Sequence, residues 1–141
     1  MSADAVFSIC NSVALAGWLI LAIAGRKRWA ASLTAGVILP LLLAVAYLVL
    51  LVSHWGETKG GFGTLTDVAA LFSNRWLLLA GWIHFLCFDL FIGSWEVRDA
   101  ESRGISHWLV IPCLFLTFMF GPVGLLLYFT VRAQRVRAIT V

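Results

Sequence analysis

The sequence predicts an all-α membrane protein, four transmembrane helices in a compact bundle, and three observations carry that prediction. The 141 residues are 62% hydrophobic and only 12% charged, against about 25% charged in an average soluble domain, and the mean hydropathy is +0.97. The charges cluster, leaving uncharged windows at 5–25, 29–56, 76–95 with Asp89 set aside, and 104–131. Each window can cross a bilayer, since about 20 helical residues span a hydrocarbon core of about 30 Å. The windows are continuously apolar rather than alternating, which excludes barrel strands and leaves helices as the way to pair every backbone amide in lipid. Residues 1–141 therefore read as a single four-helix transmembrane domain.

The first window follows Asp4 and is closed by Arg26, Lys27 and Arg28, the order of an anchored helix rather than a cleaved leader. The second contains Pro40, which removes a backbone hydrogen bond and kinks a helix. His54 to Asn74 forms the one extended connection, opening with Gly56-Glu57-Thr58-Lys59-Gly60-Gly61-Phe62-Gly63. No Gly-Lys-Ser or Gly-Lys-Thr follows and no strand precedes, so these glycines make a turn and not a phosphate loop. After them Leu65, Val68, Ala69 and Phe72 recur at helical spacing behind Thr64 or Thr66 as N-cap, which suggests a short interfacial helix; a solvated linker is the alternative. The fourth window holds Pro112 and the sharper break Gly121-Pro122-Val123-Gly124, which either opens space for a ligand or serves packing alone.

On a four-span topology one side carries Arg26, Lys27, Arg28, Arg98 and Arg103 and the other Lys59, Arg75, Arg132, Arg135 and Arg137. The positive-inside rule then gives no orientation. The net charge of +3 dresses helix ends, and no interleaving of bases with aromatics suggests nucleic acid as a partner. Cys10, Cys87 and Cys113 fall inside the spans without CxxC spacing, as small buried apolar residues do.

The third span is the informative one, because it carries His84 and Asp89, each within about 5 Å of the bilayer centre along the axis. An Asp there is penalised by roughly 2.5–3.5 kcal/mol on insertion scales, so it is expected to be protonated, paired or turned to an internal cavity. At 100° per residue Asp89 shares a stripe with Trp82, Phe85, Gly93 and Glu96, and that stripe should face the bundle. His84 lies about 140° round from Asp89, so the two form no tight dyad. Partners from other helices are expected among Asn11, Tyr47, His54 and His107. Past the span, Glu96, Arg98, Asp99, Glu101, Arg103 and His107 make a polar collar, most of it ordinary solvated charge when taken alone. His84, Asp89, Asp99 and His107 are conceivable ligands for iron or zinc, but their spacing matches no HExxH or ExxH motif.

The stretch Leu71-Phe72-Ser73, the core Trp82-Ile83-His84-Phe85-Leu86-x-x-Asp89-Leu90-Phe91, then Asp99, His107 and Pro122-x-Gly124 resembles the abscisic-acid-deficient-four family of plants and bacteria, from residue 65 to 128. The resemblance implies carotenoid chemistry: opening of a 5,6-epoxide to an allenic alcohol, as in neoxanthin synthesis, an isomerisation that needs no redox cofactor. It implies catalytic roles for His84, Asp89, Asp99 and His107, with Asp89 and His84 as acid and base in either assignment. Trp82, Phe85, Phe88, Phe91 and Glu96 would line the substrate. Implied partners are membrane lipid, a carotenoid or other isoprenoid, and a second copy or a partner carotenoid enzyme. A bacterial-type member would sit in the cytoplasmic membrane. Two other functions stay open: a non-catalytic carotenoid or lipid binder using the aromatic stripe, and a small proton- or ion-coupled transporter subunit using Asp89.

Overall fold

A computed structural model describes residues 1–27, 29–57 and 59–139, with side chains as far as 135. Arg28 and Thr58, and the side chain of Arg137, lie outside the described residues. The described chain is all-helical, with six α-helices and no strand: α1 Ala3–Ala24, α2 Leu39–His54, α3 Leu65–Ser73, α4 Arg75–Ser102, α5 His107–Phe120 and α6 Pro122–Ile139. Three helical stretches are long and apolar enough to cross a membrane, Ala3–Ala24, Trp29–Glu57 and Arg75–Ser102. Large side chains such as Ile23, Val52 and Leu126 lie open on the outer surface, as they do where lipid is the solvent.

The helix ends follow from local chemistry. Ser2 caps α1, its hydroxyl accepting from the Ala5 amide. Thr64 caps α3 by accepting from the Asp67 amide, so the short helix forms where the sequence suggests it. Asn74 caps α4, its side-chain oxygen accepting from the amides of Trp76 and Leu77. At the far end of α4, Gly104 has φ +66°. There the amide of Ile105 donates to Ala100 O and that of Gly104 to Glu101 O, the paired bonds of a Schellman cap.

Helix α4 is the axis, in contact with every other long element. α1 runs parallel to it: Asp4 pairs with Arg75 at one end, and Gly17 makes room for Leu90 further along. The second spanning stretch runs antiparallel to it, with Tyr47 against His84 and His54 stacked on Trp76. This stretch opens as a π-helix, Trp29–Ile38, and narrows to α2 at Pro40, which lacks the amide an inner turn would need. A Cβ at Gly36 would collide with the Arg98 guanidinium, which donates to Ala31 O at 3.1 Å.

The fourth apolar window does not form one crossing helix. It breaks at Gly121, whose φ of +45° lies where side chains are strained, and Pro122 then opens α6 at a position proline favours. The break is a reversal, not a kink. A continuous helix would hold residues 117 and 124 about 10.5 Å apart along its axis, yet a Cβ on Gly124 would fall on the backbone nitrogen and Oγ1 of Thr117. α5 and α6 are therefore an antiparallel hairpin. Its turn at Gly121 lies beside Asp89, in the middle of α4, and α6 returns Tyr128 to Asp99 near the end of α4. With 14 residues, α5 rises about 21 Å, short of the hydrocarbon core, and the hairpin brings both its open ends to the same end of α4.

This reversal moves the charges. Arg26, Lys27, Arg98, Arg103, Arg132 and Arg135 now share one side, against Lys59 and Arg75 on the other, and the even balance of a four-span topology disappears. The positive-inside rule places the first group on the side from which the chain inserts. In intact bacterial cells expressing single-cysteine variants, a membrane-impermeant maleimide should label Lys59→Cys from outside and Arg135→Cys only after lysis. Labelling of both from outside would contradict the hairpin topology.

Candidate functional site

The three carboxyls of α4 that face the hairpin form a graded series. Asp99, near the membrane edge, is fully compensated. Its Oδ2 accepts from the Tyr128 hydroxyl at 2.7 Å and from Arg103 Nε at 2.9 Å, and it pairs with Arg132 Nε at 3.3 Å. Glu96, one turn deeper, is 0% exposed and has a single kind of partner: Thr117 Oγ1, which donates to its two oxygens at 3.0 and 3.3 Å. Asp89, two turns deeper again, is half-buried, and its Oδ2 is buried with no hydrogen-bond partner among the described residues.

Each position is set by the hairpin. Gly121 closes on Asp89 so tightly that a Cβ there would stand 3.0 Å from Oδ1. Gly124 lets α6 press on Thr117, fixing the hydroxyl that serves Glu96. Gly93, between the two acids on the stripe, is filled by Trp18 and Leu114, and Trp18 continues onto Phe118 at 5.6 Å between ring centroids. The stripe drawn from the sequence is thus buried at Gly93 and Glu96, half-buried at Phe85 and Asp89, and exposed at Trp82, because the hairpin covers only its second half.

The other candidates lie elsewhere. His84 turns to the α2 side, with its ring 5.7 Å from Tyr47 and 4.6 Å from Phe88. It lines a cavity of about 290 Å³ with Tyr47, Leu51, Phe62, Leu71 and Phe72. His107 Nε2 donates to Ala22 O at 3.0 Å and fastens α5 to α1. Trp82 donates from Nε1 to Asn11 Oδ1 at 3.1 Å and packs beside Phe85. Both rings line an apolar crevice of about 290 Å³ with Phe72, Leu78 and Gly81, beyond the hairpin tip. Phe88 and Phe91 are exposed, Phe91 beneath the Arg98 guanidinium. Of the expected partners Tyr47 meets His84 and Asn11 meets Trp82, whereas His54 bonds Leu50 O and His107 bonds Ala22 O.

The structure thus gathers Asp89, Glu96 and Asp99 on one face and sends His84 and His107 to other neighbours. The imagined metal set does not converge, and no group of three metal-ligating side chains exists among the described residues. Thr117 and Tyr128 were missed by sequence reasoning. A signal was present: between 108 and 129 the chain offers only these two hydroxyls, and buried carboxyls at depth need donors.

A family model described as ABA DEFICIENT 4-like matches residues 5–128. The chain is also similar to "Protein ABA DEFICIENT 4, chloroplastic" of Arabidopsis thaliana, 25% identical over 140 residues, which is 93% of this chain and 62% of that protein. It therefore spans less than two thirds of that relative's length. No solved structure matches it.

The Glu96–Thr117 bond has a measurable consequence. Thr117→Val leaves a buried carboxyl oxygen unsatisfied and should cost about 1–3 kcal/mol, read as a lower unfolding temperature in detergent. The double variant Glu96→Leu/Thr117→Val should recover most of the loss, since removing both partners is nearly neutral. An unchanged single variant would deny the bond any weight.

Proposed function

We propose, for a chain that belongs to the ABA DEFICIENT 4-like family, that it modifies a carotenoid or related isoprenoid within the bilayer, with Asp89 as the proton-transferring group. One observation supports this reading above the rest: a carboxyl at mid-helix, half open and with an unpartnered oxygen, at the tip of a hairpin that leaves the other half of the membrane unfilled. Ionisable groups at such depth are functional by default, because their insertion is costly.

The reaction implied by the resemblance fits one carboxyl. Opening a 5,6-epoxide to an allenic alcohol adds a proton to the epoxide oxygen and removes one from the neighbouring vinylic carbon, so no proton is gained or lost. A carboxylic acid gives its proton from one oxygen and takes the other proton on its second. For Asp89 to serve in both steps its carboxyl must turn toward the substrate, because Oδ2 is enclosed and Oδ1 lies against Gly121. His84, turned to Tyr47, would have to act on a different part of the molecule. Trp82 and Phe85 offer flat apolar walls for a rigid polyene beside the tip. Asp99 and His107 serve in this reading to anchor the hairpin, to α4 and α1 respectively. For a bacterial-type member the membrane is the cytoplasmic one.

A second reading, a non-catalytic carotenoid or lipid binder, is favoured by the crevice at Trp82 and Phe85, whose lining does not include Asp89. Chromatography of pigments from carotenoid-producing cells supplied with an epoxy-carotenoid separates the two. The enzyme reading expects a new pigment with the native chain and none with Asp89→Ala or Asp89→Asn at equal expression. A pigment that co-purifies unchanged with all three forms would replace it with the binder.

A further inference from the structure

Glu96 has no part in the chemistry just described: it is wholly enclosed and touches no space a substrate could enter. A buried carboxyl without a cation is costly to keep, and nothing in the packing demands an acid there, since Leu or Met would fill the same volume. Its placement is what distinguishes it. Glu96 stands seven residues beyond Asp89 and three before Asp99 on one face of α4, about 10.5 and 4.5 Å along the axis. Helical side chains lean toward the N-terminus, so Glu96 reaches back toward Asp89. It lies within electrostatic reach of both Asp89 and Tyr128.

The far end of this series meets water. Arg103, bonded to Asp99, has a side chain 33% exposed, and the α4–α5 turn begins beside it. The groups that face the series are Thr117 and the buried thiol of Cys113 from α5, Tyr128 and Arg132 from α6, and from α1 Trp18, which does not titrate. Cations are present at Asp99 and absent at Glu96 and Asp89 among the described contacts. A proton moving inward therefore finds bases of decreasing compensation and no fixed positive charge to repel it beyond the edge.

We infer that Glu96, held by Thr117, is a relay carboxyl that exchanges protons between Asp89 at mid-membrane and the Asp99–Tyr128 cluster at the aqueous edge. The inference rests on Asp89 being the working acid. In each transfer one proton leaves an oxygen of Asp89 and arrives on an oxygen of Glu96; because Trp18 and Leu114 fill the space at Gly93 between them, the transfer goes through a water admitted when that packing parts. The proton then passes on to solvent past Asp99, and the reverse sequence restores Asp89. Such a path reaches half-way across the membrane. Because the isomerisation itself returns Asp89 to its starting state, the path would serve only to restore the acid when its proton is lost between turnovers, a positioning and supply role rather than a catalytic one.

The test is hydrogen–deuterium exchange at Asp89, with the full chain in phosphatidylcholine liposomes and no carotenoid present. Infrared spectra of the native chain and Asp89→Asn identify the protonated-carboxyl band that belongs to Asp89, and a switch to deuterated buffer times its shift. Glu96→Gln, which keeps a bond to Thr117, should slow that shift by about tenfold or more. Glu96→Asp should restore part of the rate, and Lys59→Gln on the opposite side should leave it unchanged. Exchange as fast in Glu96→Gln as in the native chain would overturn the relay, and so would the absence of any band that depends on Asp89. Pigment conversion is scored separately, so a relay without conversion and conversion without a relay are distinct results.

Discussion

The structure depends on a chain reversal inside the membrane. A backbone that turns in lipid must have its polar groups satisfied by protein, because no water is there to do it. Three residues meet that demand here. Gly121 adopts a positive φ, Pro122 needs no amide partner, and Gly124 lets the returning helix lie on Thr117. The Gly121 amide finds Thr117 O at 2.8 Å, and the Gly121 carbonyl accepts from Gly124 and Leu125. Three carboxyls of α4 are arranged around this turn. Asp89 lies under its tip, Glu96 under its middle and Asp99 at its mouth, so compensation falls with depth as the hairpin narrows. Where the hairpin ends, the rest of the stripe is left to lipid, and the exposed aromatics Trp82 and Phe88 are there.

Depth decides what each carboxyl can do. Asp99, with two arginines and a phenol, holds the hairpin against α4 and is near enough to solvent that its pairs are ordinary. Glu96 is too enclosed to meet a substrate. Asp89 alone combines a place at mid-helix, a half-buried side chain and an enclosed oxygen without a partner among the described residues. The π-helical entry to the second span has a comparable logic on the opposite face of α4. There the Arg98 guanidinium, which would be stranded in an apolar bundle, takes a carbonyl that Gly36 leaves open.

Much of this was legible in the sequence, for reasons that also explain the rest. Uncharged windows of sufficient length locate spans, and three of the four windows form helices long and apolar enough to cross, while Thr64 ahead of Leu65, Val68 and Phe72 favours α3 as much as a solvated linker. A period of 3.6 places Gly93 and Glu96 with Asp89 and sends His84 away. The reversal was not legible, because Gly121-Pro122-Val123-Gly124 reads equally as a kink, and apolar composition is the same on both sides of it. Missing the reversal put Arg132 and Arg135 on the wrong side and made the charge count even. It also hid the donors, since Thr117 and Tyr128 reach Glu96 and Asp99 across 21 and 29 residues only if the chain turns back. The π-helix Trp29–Ile38 left no trace in composition at all.

The reversal is therefore the claim to test, and a distance does so most directly. Spin labels on Ser106→Cys and Arg135→Cys, in a background with Cys10, Cys87 and Cys113 replaced by Ala, sit at the two open ends of the hairpin. Pulsed electron resonance in liposomes should place them about 10–20 Å apart, the separation of neighbouring helices plus the labels' own length. A single continuous helix from 106 to 135 would hold them about 44 Å apart, and that result would contradict the account.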